Sequence, residues 1–155
     1  AARIREGGWA VRDVAHPRRL KGQVLGLVGI GNIGRQVAAK AAGFGLSVIA
    51  HDPFVQSDHV DVAGVGAVPL LSLDEMLATA DIVSLHCPLS PATRHLIGAA
   101  QLARMRPGAV LINTARGGLV DQDALVEALR ADIPATALFV QAKAGSWVVA
   151  HTPKQ

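Results

Sequence analysis

The feature that most constrains this chain is a glycine triplet that directly follows an apolar run and opens a helical pattern. Gly29, Gly31 and Gly34 are spaced as G-x-G-x-x-G, after the run Val24–Val28 and before apolar residues at helical spacing. In this setting the first glycine permits a tight turn, the second lets a pyrophosphate approach the backbone, and the third lets helix and strand pack closely. The pattern therefore predicts a dinucleotide at the start of the first helix, where free N–H groups favour phosphate.

A carboxylate stands where such a site needs one. Asp52 follows Gly34 by eighteen residues, at the end of the second apolar run. A carboxylate there accepts both ribose hydroxyls of the adenosine half and repels a 2′-phosphate, so NAD is predicted rather than NADP. Asn32 and Ile33, inside the glycine loop, complete this part of the predicted cofactor site. The competing interpretation is a glycine-rich turn with an unrelated surface aspartate.

Short apolar runs alternate with helical patterns along the chain. The runs are Val24–Val28, Leu46–Ala50, Val65–Val68, Ile82–Leu85, Ala109–Ile112 and Thr136–Val140. Continuous apolar strands separated by helices indicate a parallel sheet covered on both faces. We therefore predict an α/β fold, a doubly wound parallel Rossmann sheet of about six strands with helices on both faces. Asp121 is the predicted N-cap of a helix that ends at Arg130.

Composition narrows the classes of function. Residues 1–21 hold six basic and two acidic side chains, so the basic character is confined to a leader and nucleic acid is not a predicted partner. No apolar stretch has the roughly 20 residues that span a membrane. Cys87 is the single cysteine, which excludes a disulfide framework and a zinc site built on several cysteines. No metal is predicted, and the expected compartment is the cytoplasm.

Two later segments carry a more specific signal. They read ADIVSLHCPLSPATRHLIG over residues 80–98 and MRPGAVLINTARGGLVDQDALVEALR over residues 105–130. With LKGQVLGLVGIGNIGRQVA and HDPF, they resemble the nucleotide-binding domain of the D-isomer-specific 2-hydroxyacid dehydrogenases, a family that includes phosphoglycerate dehydrogenases and hydroxypyruvate reductases. KAAGFGLSVIAHDPF and LHCPLS also look like the branch of the C-terminal binding proteins, which are NAD-sensing corepressors.

The resemblance implies a second group of site residues, at the nicotinamide end of the cofactor. They are His86, Cys87, Pro88, Thr93, Thr114, Ala115 and Arg116. Arg116 is the implied catalytic residue, because a planar guanidinium grips a 2-oxo acid bidentately and polarises its carbonyl as hydride arrives. The resemblance also implies NAD as cofactor, a small 2-hydroxy or 2-oxo acid as substrate of the intact enzyme, and a homodimer.

The match to the family ends after Arg130. Where the family has an Asp, and then the Glu that orients its catalytic His, this chain has Phe139 and Ala144. His151 precedes the Thr-Pro pair that it should follow, so we interpret it as a tail histidine and not as the acid/base. A proton donor contributes roughly 10²–10⁴-fold to such a reaction. The chain alone is therefore expected to be catalytically incomplete.

The expected organisation has three parts. Residues 1–21 are a basic leader or interdomain segment, residues 22–140 are the NAD-binding domain, and residues 141–155 are a divergent tail whose apolar run 147–150 has no predicted place in the sheet. The family's substrate domain is absent, and the chain lacks an initiator Met, so we expect a fragment of a longer protein. The alternatives to a dehydrogenase domain are an NAD-sensing, corepressor-like regulatory module and an inactive truncated product.

Overall fold

The computed structural model describes residues 19–130, 139–143 and 146–150, the last two ranges as backbone only. The strands are β1 (Val24–Val28), β2 (Ser47–His51), β3 (His59–Val62), β4 (Gly66–Pro69), β5 (Ile82–Leu85), β6 (Val110–Asn113), β7 (Phe139–Lys143) and β8 (Ser146–Ala150). The helices are α1 (Asn32–Gly43), α2 (Leu73–Thr79), α3 (Ala99–Arg104) and α4 (Gln122–Arg130), with a 3-10 turn at Gly117–Leu119. Most of the expected leader, and His151, lie outside the described residues.

The central sheet has the order β2-β1-β5-β6-β7-β8. Neighbouring strands from β2 to β7 are parallel, and β8 is antiparallel to β7. The prediction of a doubly wound α/β sheet is confirmed. The chain goes outward from β1 to β2 and then returns to β5 on the other side of β1. The carboxyl ends of β1 and β5 thus flank a switch point, where such sheets bind ligands.

The third predicted strand was assigned to the wrong sheet. Val65–Val68 falls largely in β4, which pairs antiparallel with β3 in a separate two-stranded sheet. Gly64 and Gly66 have φ values of +77° and +90°, a backbone that returns the chain along β3. Just past β4, Leu70 makes a single parallel bridge to Ala50 of β2. The third strand of the doubly wound order is therefore reduced to one bridge.

The end of the chain also departs from the prediction. The sixth run was expected at Thr136–Val140; β7 begins at Phe139, and residues 136–138 lie outside the described residues. The prediction that residues 147–150 have no place in the sheet was wrong, because they belong to β8. An antiparallel strand needs no crossover helix, so an apolar run directly after β7 is able to turn back and extend the sheet.

Both faces of β1 are buried, and this fixes the helices on either side. Leu25 and Leu27 point into a cluster with α1 and the β3–β4 hairpin, while Val28 joins the cluster of α2, α3 and α4. Gly26 lies on the same face of β1 as Val28, and a Cβ added there would lie 3.0 Å from the Cβ of Ala80. Close approach of the α2 end to β1 therefore depends on this glycine. No helix in the described ranges is long and apolar enough to cross a membrane.

Side chains stabilise the starts of α2 and α4. Ser72 and Glu75 form a reciprocal capping box at α2. The Asp121 carboxylate accepts from the backbone N–H groups of Asp123 and Ala124, at 3.1 Å each, which confirms the predicted cap of α4.

One carboxylate, that of Asp81, forms a hydrogen bond and an ion pair at the amino edge of the sheet. Asp81, just before β5, accepts the first backbone N–H of β1, that of Val24, at 2.9 Å. Its second oxygen lies 2.7 Å from Nη1 of Arg106. The edge opposite the candidate site is thus held by an ion pair and a strand-end hydrogen bond.

Candidate cofactor site

The end of β1 requires glycine for two separate reasons. Gly29 has φ of +95°, a left-handed backbone that disfavours side chains, and its N–H donates to the carbonyl of His51 at 2.8 Å. A Cβ on Gly29 would also lie 3.0 Å from the carbonyl carbon of His86. The turn after β1 therefore passes between the ends of β2 and β5.

The other two glycines differ in what surrounds them. A Cβ on Gly34 would overlap the carbonyl oxygen of Gly29, so Gly34 is required by the packing of the loop itself. A Cβ on Gly31 would meet no protein atom within 4 Å. The space beside Gly31 is one that the described protein does not fill, as expected where a ligand approaches the backbone.

The start of α1 presents its N–H groups without competition from a side chain. Gly31 is the N-cap and offers no side-chain acceptor, and the first turn holds no acidic residue. Asn32 and Ile33 are exposed there, Ile33 to 65% of its surface. A helix start of this kind attracts an anionic group through its free N–H groups and its partial positive charge. These features fit a pyrophosphate.

Asp52 is held against the glycine loop by two backbone donors. Its Oδ2 accepts from the N–H of Ile30 and its Oδ1 from the N–H of Phe54, both at 3.1 Å. An ionised carboxylate has about four lone-pair positions, so each oxygen retains capacity for another donor. The residue is half-buried at the end of β2. This arrangement suits a pair of ribose hydroxyls.

His86 and Cys87 continue from β5 along the other side of the glycine turn. The N–H of His86 donates to the carbonyl of Val28 at 2.8 Å, and its Nε2 lies 3.0 Å from Oγ of Ser84. Burial lowers the pKa of His86, which favours the neutral imidazole. Burial also raises the pKa of the Cys87 thiol, and the charge of Asp52 adds to that shift. The Cys87 thiol is therefore protonated and is not an activated nucleophile.

Thr93 holds its own loop in shape. Its Oγ1 donates to the carbonyl of Pro88 at 2.7 Å and accepts from the N–H of Ser90 at 2.8 Å. Pro88 is exposed and Thr93 is half-buried. The hydroxyl proton is used within the loop, so the Thr93 side chain fixes the shape of this turn.

The loop after β6 carries Arg116. Thr114 and Arg116 are exposed and Ala115 is half-buried. Asn113, the last residue of β6, is only 1% exposed and bonds to the backbone of this loop. The guanidinium of Arg116 donates from Nη1 to the carbonyl of Ala115 at 2.9 Å.

The loops after β5 and β6 are tied together. The N–H of His95 donates to the carbonyl of Gly118 at 2.8 Å. The N–H of Ile97 donates to the carbonyl of Leu119, and the carbonyl of Ile97 accepts from the N–H of Asp121, both at 3.0 Å. His95 has φ of +53°, a left-handed backbone at a non-glycine residue. The connection brings the residues predicted from HCPLSPAT and from TAR to one side of the sheet edge.

Seven exposed or half-buried residues of these loops were predicted from the sequence, and three residues that support the loops were not. Asn113, Ser84 and His95 were not singled out. A signal did exist for Asn113, since a polar residue directly after a run of apolar residues is well placed to bond to the next loop. No comparable signal marks His95. Among the described residues, no group of His, Cys, Asp and Glu side chains is arranged to hold a metal ion.

Comparison with known proteins identifies the family to which this chain belongs. Residues 1–139 match the model of the D-isomer specific 2-hydroxyacid dehydrogenase, NAD binding domain. The chain is 43% identical over 136 residues to D-3-phosphoglycerate dehydrogenase 2, chloroplastic, of Arabidopsis thaliana. The matched region is 88% of this chain and 21% of that protein. It is 48% identical over 128 residues to the (S)-sulfolactate dehydrogenase of Chromohalobacter salexigens, covering 83% of this chain and 40% of the relative.

Solved structures agree. The NAD-dependent formate dehydrogenase of Staphylococcus aureus, in complex with NAD, is 33% identical with a TM-score of 0.77, covering 92% of this chain and 43% of that one. The chain thus spans between about a fifth and two fifths of these proteins. It belongs to the D-isomer specific 2-hydroxyacid dehydrogenases and represents their NAD-binding domain.

Proposed function

We propose that this chain is the NAD-binding part of an enzyme that transfers hydride between NAD(H) and a D-2-hydroxy or 2-oxo acid. The observation that carries the proposal is the unfilled space beside Gly31 at the start of α1, next to Ile30, whose N–H donates to the carboxylate of Asp52. Family membership supports the cofactor. The substrate class is supported by relatives named as phosphoglycerate and sulfolactate dehydrogenases.

The proposed roles follow from the two sides of the site. Gly29, Gly31 and Gly34 shape the pyrophosphate loop, with Asn32 and Ile33 beside it, and Asp52 accepts the ribose hydroxyls. The proposed wall at the nicotinamide end is formed by His86, Cys87, Pro88, Thr93, Thr114 and Ala115. The cofactor supplies the hydride when it is bound. Arg116 binds the carboxylate of the acid and polarises its carbonyl oxygen.

The proposal is tested first by cofactor preference. The chain is expected to bind NADH more tightly than NADPH, because Asp52 repels a 2′-phosphate. Asp52→Ala removes hydrogen bonds to a charged acceptor and also the repulsion of the 2′-phosphate, so the preference should narrow, mostly through about tenfold weaker binding of NADH. Calorimetric titration of both cofactors measures this, and Asp58→Ala, which removes an exposed carboxylate, is the control. An equal or reversed preference in the wild-type chain contradicts the assignment of Asp52.

The proposal includes catalytic incompleteness of this chain. Phe139 and Ala144 stand where the resembling family has the Asp and Glu of its catalytic region, so no residue is assigned as proton donor. Glyoxylate, hydroxypyruvate and pyruvate should be reduced negligibly by a chain that nevertheless binds NADH. Strong turnover that is abolished by His151→Ala would contradict this and assign the proton donor to the tail.

An NAD-sensing regulatory module is the alternative, favoured by the segments KAAGFGLSVIAHDPF and LHCPLS, which resemble the corepressor branch. The proposed assembly is a homodimer and the proposed compartment the cytoplasm, the latter supported by the single cysteine. Sedimentation at several concentrations, with and without NADH, separates the two functions. A dimer that forms only with NADH supports the regulatory module, and a cofactor-independent dimer supports the dehydrogenase domain.

A further inference from the structure

Asn113 is a buried polar residue at a position where the strand pattern calls for an apolar one. It shares a face of β6 with Leu111, which is fully buried, and pairs in register with the buried Leu85 of β5. Its own exposure is 1%. A buried amide is costly unless its donor and acceptor are both used, so the partners of Asn113 show what it does.

Both groups of the Asn113 amide bond forward to the Arg116 loop. Nδ2 donates to the carbonyl of Arg116 at 2.8 Å, and Oδ1 accepts from the N–H of Ala115 at 3.1 Å. The carbonyl of Arg116 also accepts from the N–H of Leu119 at 3.2 Å. The backbone of residues 115 and 116 is thus fixed between the end of β6 and the 3-10 turn.

This arrangement also determines where the guanidinium lies. Fixing the N–H of Ala115 on Oδ1 orients the adjoining peptides, and the carbonyl of Ala115 accepts from Nη1 of Arg116 at 2.9 Å. Thr114 and the Arg116 side chain are left exposed on the carboxyl edge of the sheet. The one buried polar side chain at the end of β6 therefore sets the exposed part of this loop.

We propose that Asn113 is a positioning residue that presets the Arg116 loop for the nicotinamide end of the cofactor. The proposal rests on the proposed function, because it requires that this loop faces the nicotinamide ring. Asn113 lies beneath the loop and is not itself a ligand of the cofactor. A preset loop avoids the ordering cost of a mobile one, and that saving appears as affinity only for a ligand that reaches the loop.

The test compares two ligands that differ at one end. NADH carries the nicotinamide ring, and ADP-ribose has the adenosine and pyrophosphate without it. Asn113→Leu, which keeps the branch at Cγ and has no hydrogen-bonding groups, is expected to weaken NADH binding about tenfold and to leave ADP-ribose binding unchanged. Calorimetry gives both affinities for the 155-residue chain, and circular dichroism shows whether each variant is folded.

Asn113→Asp provides a variant whose defect should be reversible. An ionised Asp retains the acceptor for Ala115 but faces the carbonyl of Arg116 without a proton. A protonated Asp has one O–H donor and one acceptor, as Asn does. Because burial raises the pKa of a carboxyl group, NADH affinity of this variant should recover between pH 8 and pH 6. The wild-type chain and Asn113→Leu, titrated at the same two pH values, are the references.

The outcomes separate this inference from the function on which it rests. A selective loss of NADH affinity, with acid recovery in Asn113→Asp, supports the positioning role. Unchanged NADH affinity in both variants, or an equal loss of both ligands, overturns it and leaves Asn113 a structural residue. Failure of the wild-type chain to bind either ligand overturns the proposed function instead, and the inference with it.

Discussion

The β1–β2 side and the β5–β6 side of the carboxyl edge differ in what fixes their backbone. On the β1–β2 side the glycine turn requires missing side chains, in addition to the bond from Ile30 to Asp52: Gly29 has a positive φ, and Gly34 leaves room for a carbonyl oxygen. On the β5–β6 side the loops are fixed by side-chain hydrogen bonds from Thr93 and Asn113 to nearby backbone.

The difference shows how each side tolerates change. A steric requirement has no substitute, since an added methyl group in a closed space must displace backbone. A position whose role is to form a hydrogen bond tolerates any side chain that supplies the same donor or acceptor. The β1–β2 side should therefore fail with the smallest addition, and the β5–β6 side should recover with conservative replacement.

The largest expected effect is that of Gly34→Ala. The added Cβ overlaps the carbonyl oxygen of Gly29, so the free energy of unfolding should fall by about 3 kcal/mol, at the upper end of overpacking costs. Urea denaturation followed by circular dichroism measures the change. The matched variant is Gly31→Ala, where the Cβ meets no protein atom within 4 Å and φ is −71°.

Gly31→Ala should lose about 1 kcal/mol of stability or less, the usual range for Ala at an N-cap, and yet bind NADH more weakly. Equal destabilisation by both variants would contradict the distinction between a glycine required by the fold and one required by a ligand.

A smaller effect is expected at Thr93. Thr93→Val keeps the shape but leaves the N–H of Ser90 and the carbonyl of Pro88 without their partner, which should cost about 1–2 kcal/mol of unfolding free energy. Thr93→Ser returns the hydroxyl and should recover most of the loss. Denaturation curves of the three proteins test this, and a Ser variant as unstable as the Val variant would assign the effect to the lost methyl group.

The smallest effect is a change of pH dependence at His86. Its pKa is lowered by burial from the ordinary value of 6.5, so the unfolded chain binds the proton more readily. The stability from neutral His86 is present above pH 6.5 and is lost as the pH falls below it. His86→Gln should therefore flatten the decrease in unfolding free energy between pH 7.5 and pH 5.

His59 gives the opposite sign and serves as the comparison. Its pKa is raised by the hydrogen bond to Asp58, so its contribution is present below pH 6.5 and is lost at higher pH. His59→Gln should steepen the decrease on acidification. The same slope in both variants would mean that neither histidine controls it.

The sequence was sufficient to predict the elements that obey local rules. The glycine spacing located the turn after β1, and the apolar runs located β1, β2, β5 and β6 to within one residue at either end. The N-cap at Asp121 was also predicted correctly, because the capping bonds join residues two and three positions apart. These features depend on neighbouring residues alone.

Features that depend on which strands pair, or on the course of a loop, were not predicted. The run Val65–Val68 satisfies the pattern of a parallel strand, yet its pairing is decided by the hairpin with β3. Residues 147–150 found a partner in β7 that no periodicity indicates. The polar position of Asn113 after an apolar run was visible in the sequence, but its role requires the backbone of the Arg116 loop, which accepts from its amide.

The bond from Val24 to Asp81 bears on the order in which the chain folds. It joins residues 57 positions apart, and β1 lies between β2 and β5 in the sheet. The β1–β2 pair closes a short loop around α1, whereas β1–β5 pairing must close a loop more than twice as long. Loop closure costs entropy before the contact is gained, and non-local pairing slows folding. The crevice beside the glycine turn thus depends on the strand pairing with the larger loop-closure cost, that of β1 with β5.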